Sequence, residues 1–371
     1  MAHKKTFKNI VKDYLPVSVA REYLKRRSFA EGFRNWEKTG NDVILPQTSK
    51  YNKVVSVQGF NYSGSGAVID FLREYPRFTV LGYVDTPEDS GGYTPKSLQL
   101  SEIDFIRLAG GLFEIEHFID CDNLFFRDAL LNRTTKCFES SSLYKYSDEV
   151  RELMYRFFSQ MTELRTENLE FAYNNAYLIG LNEIPDIYYM RNMSRKEYHK
   201  LCCNFLTAVF NTFYQEGKDF LAADQLLADN VYDNARNLEY IPNLKTILVP
   251  RDPRDTYTWA IIRNQPHMEH STVERFIKWY KHMYVNVKPW EEKEGCLITR
   301  YENLVLDYDK QEKRINDYLG LTPEDHELRQ QYFRPEFSKR FVGIYKDLQG
   351  HEKDFEMIKS ELGDYCNSLI D

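Results

Sequence analysis

The sequence predicts an α/β protein: a P-loop-type parallel sheet flanked by helices on both faces, with a helical cap. Three observations predict it. Short apolar runs rich in β-branched residues recur along the chain with helical patterns between them, and strands separated by helices require right-handed crossovers and hence a parallel sheet. The first run passes straight into a glycine-rich turn and then an amphipathic segment, in VVSVQGFNYSGSGAVIDFLREYPRF at 54–78. Lastly, 371 residues, 42% of them hydrophobic and 15% aromatic, suffice for one large α/β domain with insertions, or a domain with a smaller lobe.

Residues 1–47 are expected to form a basic arm and linker. In residues 1–27, Lys4, Lys5, Lys8, Lys12, Arg21, Lys25, Arg26 and Arg27 stand against Asp13 and Glu22. Phe7, Ile10, Val11, Tyr14 and Leu15 carry helical spacing among the lysines, which suits a solvated arm or a peripheral contact with the inner face of a membrane. The arm has no apolar core of a secretory signal, and no window reaches the roughly 18 apolar residues of a membrane span. The domain is expected over 48–348, with strand signals at 54–59, 78–82, 246–251 and 296–301. Helical patterns lie at 66–75, 148–178, 195–216, 271–288 and 309–319. The stretch at about 120–240 reads as a mostly helical insertion, a cap over the carboxyl edge where open α/β sheets bind ligands. Residues 349–371 read as a C-terminal helix.

A net charge of −7 argues against a dedicated nucleic-acid binder, which needs a basic excess. Cys121, Cys137, Cys202, Cys203, Cys296 and Cys366 form no C-x-x-C pair and read as reduced thiols of a cytosolic protein. No histidine pair has zinc-ligand spacing, so no metal is expected. Oligomeric state is left open.

The turn Gly59-Phe60-Asn61-Tyr62-Ser63-Gly64-Ser65-Gly66 has the layout of an anion cradle: strand, glycine-rich loop, helix N-terminus. A Walker A loop would carry lysine where Ser65 stands. Downstream, NLKTILVPRDPRDTYTWAI at 243–261 ends an apolar run in Arg251-Asp252-Pro253-Arg254-Asp255. That places two guanidiniums at the same sheet edge. Two anion-seeking elements on one edge suggest a ligand with two separate phosphate-like groups.

With these two blocks go LITRYENLVLDYDKQEKRINDYLGL at 297–321 and SKRFVGIYKDL at 338–348. In that order the four resemble the sulfotransferases that use 3′-phosphoadenosine 5′-phosphosulfate. The resemblance implies that Tyr62, Ser63, Gly64, Ser65, Gly66 and Ala67 bind the phosphosulfate, the backbone N–H groups from Ser63 to Ala67 acting as the cradle. It implies that Arg251 holds the 3′-phosphate and that the segment with Lys339 and Arg340 closes over the nucleotide. Two positions depart from the family's pattern: Tyr62 stands where a lysine or arginine is usual, and Trp259, beside Thr258, where a serine is. Arg254, Lys339, Arg340 or Lys346 are the candidates for the missing cation.

Sulfuryl transfer to a hydroxyl needs a general base within hydrogen-bond reach of the attacking oxygen. In SEIDFIRLAGGLFEIEHF at 101–118, Glu102 is the first choice and Asp104 the second, with Arg107 as orienting partner. Glu114, Glu116 and His117 follow. The expected acceptor is a hydroxyl of a carbohydrate or glycoconjugate. A P-loop kinase using a nucleoside triphosphate and magnesium is one rival; the missing lysine, and the want of a clear aspartate at a strand end, speak against it. A non-catalytic member of the fold that binds a nucleotide, glycan or protein is the other.

Overall fold

The computed structural model describes residues 32–33, 35–37, 45, 48–59, 62–81, 138, 144, 147–164, 188–224, 226, 239–241, 243–263, 272–287 and 296–370. The chain divides into two compact units, residues 1–48 with 107–212 and residues 49–106 with 213–371.

The second unit holds the sheet. In chain order its elements are β1 (Lys53–Gly59), α1 (Ser65–Arg73), β2 (Phe78–Leu81), β3 (Phe220–Asp224), β4 (Leu244–Val249), α2 (Pro253–Arg263), α3 (Val273–Val287), β5 (Cys296–Ile298), α4 (Tyr301–Leu306), α5 (Tyr308–Leu319), α6 (Pro335–Ser338) and α7 (Glu352–Leu362). The strands are all parallel, in the order β2-β3-β1-β4-β5. Central strands of such a sheet are covered on both sides, so they are apolar without alternation. Val54, Val55 and Val57 of β1 and Ile247, Leu248 and Val249 of β4 are accordingly buried. Alternate residues mark one face: Val55, Val57, Phe220, Ala222, Ile247 and Val249 cluster with Val68, Phe71 and Leu72 of α1, Leu304 of α4 and Ile315 of α5. α1 is amphipathic as its sequence implies, burying Val68, Ile69, Phe71 and Leu72.

The strand signals at 54–59, 78–82 and 246–251 correspond to β1, β2 and β4, whereas 296–301 shortens to three residues because Tyr301 opens α4. Tyr301 to Leu304 are therefore helix and do not continue the strand. β3 lies inside the stretch read as helical. Its sequence, FLAAD, has no β-branched residue, yet Phe220 to Ala223 are buried because β1 and β2 flank it. Position in the sheet overrides local propensity here.

The first unit contains helices Asp148–Met161 and Arg195–Asn211 and an antiparallel pair, Thr162–Leu164 with Tyr188–Met190. The helix expected over 148–178 stops at Met161, where Thr162 turns extended and begins the pair. Ser194 and Glu197 form a capping box at the second helix. Its core is aromatic: Phe33 meets Phe158 with ring centroids 4.9 Å apart, and Phe157 meets Phe205 at 4.7 Å. Among the described residues no helix is long and apolar enough to cross a membrane.

Candidate functional site

β1 and β4 run side by side with Gly59 opposite Val249, so the loop after β1 and the residues after β4 leave the sheet at the same edge. Chain crossings depart from β1 and β4 toward opposite sides, which makes this the switch point of the sheet.

The loop is built on glycine at two places. A Cβ on Gly59 would lie 2.0 Å from Ser63 Oγ, so the chain can fold back over the strand end only without one. Gly64 has φ 89°, and a Cβ there would come within 2.5 Å of the Tyr301 ring. Tyr62 also takes a left-handed φ, 62°, although it has a side chain. Gly64 precedes α1 with no side-chain cap. At the start of α1 a Cβ on Gly66 would meet nothing within 4 Å, so the helix start has open space in front of it there. The Ala67 N–H, expected in the cradle, instead donates to Gly64 O at 3.0 Å.

Beneath the loop, Ser63 is 2% exposed, and its Oγ has no hydrogen-bond partner among the described residues. The same holds for Nε of Arg251, a residue 5% exposed. Two buried, unsatisfied polar atoms at one uncapped helix start are costly unless something completes them. Arg251's terminal nitrogens donate to the carbonyls of Tyr62, at 3.3 Å, and Phe341. Its guanidinium lies 4.6 Å from the Tyr301 ring centre and 3.7 Å from Asp255. Arg251 thus ties the loop to the C-terminal segment. The Tyr280 hydroxyl donates to its carbonyl at 2.5 Å.

The rest of the RDPRD block turns inward. Arg254, expected to point at the ligand edge or to pair on the surface, is 2% exposed and grips Asp252 with Nε at 3.0 Å and Nη2 at 2.8 Å, beneath the Tyr345 ring. Asp252 also accepts from the Asn367 backbone at 2.7 Å, while its own N–H donates to Glu302. Asp255 accepts from the N–H groups of Gly343 (2.8 Å) and Tyr345 (3.3 Å). Burial pushes the carboxyls of Asp255 and Glu302 above their ordinary range; the Arg251 charge and hydrogen bonds from backbone N–H groups oppose it. Sequence reasoning missed Asn367 and Glu302, both of which hold this hub.

The other proposed cations sit apart. Lys339 pairs with Glu336 at 2.7 Å, Arg340 stacks 3.5 Å from the Phe337 ring centre, and Lys346 lies 5.7 Å from that of Tyr345. The Thr258 hydroxyl is spent on the Arg254 carbonyl at 2.8 Å. Trp259 packs against Phe341 at 5.7 Å, and Arg263 lies over the Trp259 ring at 5.4 Å. Burial raises the Tyr62 phenol, and the positive charge of Arg263 pulls against that rise.

Glu102, Asp104, Arg107, Glu114, Glu116 and His117 lie outside the described residues. A carboxylate that sequence reading passed over is in view: Asp224 ends β3, the strand beside β1, in register with Val57. By alternation it shares the face of Phe220 and Ala222, on which α1 packs. The sheet therefore does present an aspartate at a strand end next to the loop. Among the described residues no group of three or more His, Cys, Asp or Glu is placed to hold a metal ion.

No protein-family model matches the chain, and no curated protein matches it. Among solved structures, it is similar to the sulfotransferase domain of the Synechococcus PCC 7002 olefin synthase, with TM-score 0.37 and 12% identity over 87% of this chain and 98% of that one. It is also similar to retinol dehydratase in complex with androsterone and the inactive cofactor PAP, with TM-score 0.34 and 12% identity over 90% of this chain and 85% of that one.

Proposed function

We propose that this protein is a sulfotransferase, moving a sulfuryl group from 3′-phosphoadenosine 5′-phosphosulfate to a hydroxyl of a carbohydrate or glycoconjugate. The observation that carries the reading is the uncapped start of α1 with two buried, unsatisfied polar atoms beneath it, Ser63 Oγ and Arg251 Nε. The 3′-phosphate would complete Arg251 Nε, and the phosphosulfate Ser63 Oγ. The Ser65 and Gly66 N–H groups, at the positive end of the helix dipole, would face the same group. The acceptor oxygen attacks sulfur, the bond from sulfur to the 5′-phosphate oxygen breaks, adenosine 3′,5′-bisphosphate leaves, and a carboxylate takes the hydroxyl proton. Asp224 joins Glu102 and Asp104 as a candidate for that carboxylate. The test is calorimetric titration with adenosine 3′,5′-bisphosphate. Binding at micromolar to sub-millimolar concentration supports the reading, and no heat or thermal shift at millimolar concentration removes it.

Asp224 also favours a second reading, phosphoryl transfer from a nucleoside triphosphate, because an aspartate at the end of a strand beside a phosphate loop is where magnesium is held in such enzymes. The absence of lysine at Ser65 argues against it. Titration with ATP, with and without magnesium, separates the two: metal-dependent ATP binding with no affinity for the bisphosphate would replace the first reading by the second.

A further inference from the structure

We propose that the outer side of residues 332–340 docks on an anionic membrane surface. The chemistry starts in the sequence, YFRPEFSKR, where Arg334, Lys339 and Arg340 stand against Glu336 alone in a chain of net charge −7. The fold turns these cations outward together with two rings. Tyr332 is 52% exposed and Phe337 55%, and Arg334, Lys339 and Arg340 are exposed beside them. Single exposed apolar residues are ordinary on any protein surface. Two large rings within six positions, interleaved with cations, make a patch instead.

The backbone that carries the patch is fastened from within. Phe333 and Pro335 are buried, and the N–H groups of Tyr332 and Phe333 donate to Glu74 at 3.0 and 2.8 Å. Farther along, the Tyr301 hydroxyl donates to the Ser338 carbonyl at 3.4 Å, and Arg251 holds that of Phe341. With Phe333 inward and the backbone extended at Arg334 (φ −113°, ψ 99°), alternation sends Tyr332 and Arg334 outward. Phe337 and Arg340 stand three residues apart at the end of α6, and the Arg340 guanidinium rests 3.5 Å from the Phe337 ring centre. Lys339 is paired with Glu336, but among the described residues no carboxylate pairs with Arg334 or Arg340. A soluble polyanion would meet these guanidiniums and leave both rings in water. An anionic bilayer takes both, since its headgroups attract the cations and its interface accepts aromatic side chains beside them. Such a bilayer would adjoin Phe341, whose carbonyl Arg251 ties to the loop.

The experiment is co-sedimentation of the full chain with vesicles of phosphatidylcholine alone and of phosphatidylcholine mixed with phosphatidylserine. Binding should require phosphatidylserine and weaken as salt rises. Arg334→Gln with Arg340→Gln should reduce it by about tenfold or more, and Phe337→Ser by about fivefold, with melting temperatures unchanged because these side chains are exposed. The basic residues near the start of the chain attract the same vesicles, so a second readout is taken at the patch itself. Phe337→Trp should add emission that phosphatidylcholine brominated in its acyl chains quenches. Sedimentation that does not depend on phosphatidylserine, sedimentation that the patch variants leave unchanged, or added emission that the brominated lipid does not quench overturns the proposal. Heparin binding that the arginine pair abolishes, with no binding to the mixed vesicles, makes the surface a polyanion site and overturns it too.

Discussion

Replacing Arg251 by alanine tests the hub from which the site is built. The sequence alone suggests a purely ligand-facing arginine, whose loss would weaken donor binding at least tenfold and spare the fold. The structure changes that expectation. Arg251 is 5% exposed, holds the Tyr62 and Phe341 carbonyls, covers Tyr301 and stands 3.7 Å from Asp255, which is fully buried. Breaking a buried pair by removing one partner costs about 3–5 kcal/mol, chiefly because the other charge is stranded. Two carbonyls lose their donor as well. At roughly 2–4 °C per kcal/mol for a unit of this size, the melting point should fall by about 6–20 °C. Asp255 makes the prediction specific. Its carboxyl is already raised by burial and lowered by Arg251; without the arginine, burial acts with less opposition. A carboxyl whose folded pKa is raised contributes stability that is present at low pH and lost as pH rises through that pKa. The Arg251→Ala deficit should therefore shrink between neutral pH and about pH 5, and Asp255→Asn in the same background should recover part of it at neutral pH. Thermal melts of wild type, the single and the double variant across that range decide the matter. An Arg251→Ala melting point within about 1 °C of wild type would refute the hub, and a deficit independent of pH would refute the role of Asp255.

Other outcomes follow from single positions. Gly66→Ala should stabilise the protein by about 0.5–1 kcal/mol, since a Cβ there meets nothing, while weakening bisphosphate binding, since that open space is the ligand's; paired melts and titrations check both signs. Gly64→Ala should destabilise by about 2–4 kcal/mol, from left-handed strain and collision with Tyr301, in the same melts. Asp224→Asn should cut turnover with little change in donor affinity, as steady-state kinetics beside calorimetry would show. Away from the site, His326 lies between Glu74 at 2.7 Å and Glu312 at 2.5 Å, stacked on Tyr75. His326→Ala leaves those carboxylates facing one another and should cost about 3–5 kcal/mol in denaturant unfolding.

Much of the sheet was legible because the residues of β1, β2 and β4 face a core on both sides, and burial on both sides leaves a continuous apolar run in the sequence. β3 was not legible: alanine, leucine and aspartate carry no strand signal, and only its place between β1 and β2 makes FLAAD a strand. The loop could be read from Gly59 and Gly64, since glycine is the one residue that tolerates what their backbones require. That Arg254 turns inward while Arg251 reaches the loop was not legible. They differ by which partners come from far along the chain, Phe341 for one, Asp252 under Tyr345 for the other, and spacing does not encode that.

These long-range partners give the RDPRD block a consequence beyond binding. Arg251 holds Phe341, Asp255 holds Gly343 and Tyr345, and Asp252 holds Asn367, so three side chains within five residues fasten the C-terminal segment to the edge where the loop emerges. An anion that completes Arg251 Nε acts on the same guanidinium that bonds the Tyr62 and Phe341 carbonyls. It can strengthen that tie by ordering the arginine, or compete with it by drawing the terminal nitrogens away. In either case binding and the docking of residues 335–347 share one group, and coupling through a shared group is reciprocal. Whatever loosens the segment must alter affinity for the anion by the same factor that the anion alters the segment. The basic residues at 339–346 then need not touch the ligand to matter to it. They lie on the strap whose Phe341 carbonyl Arg251 grips.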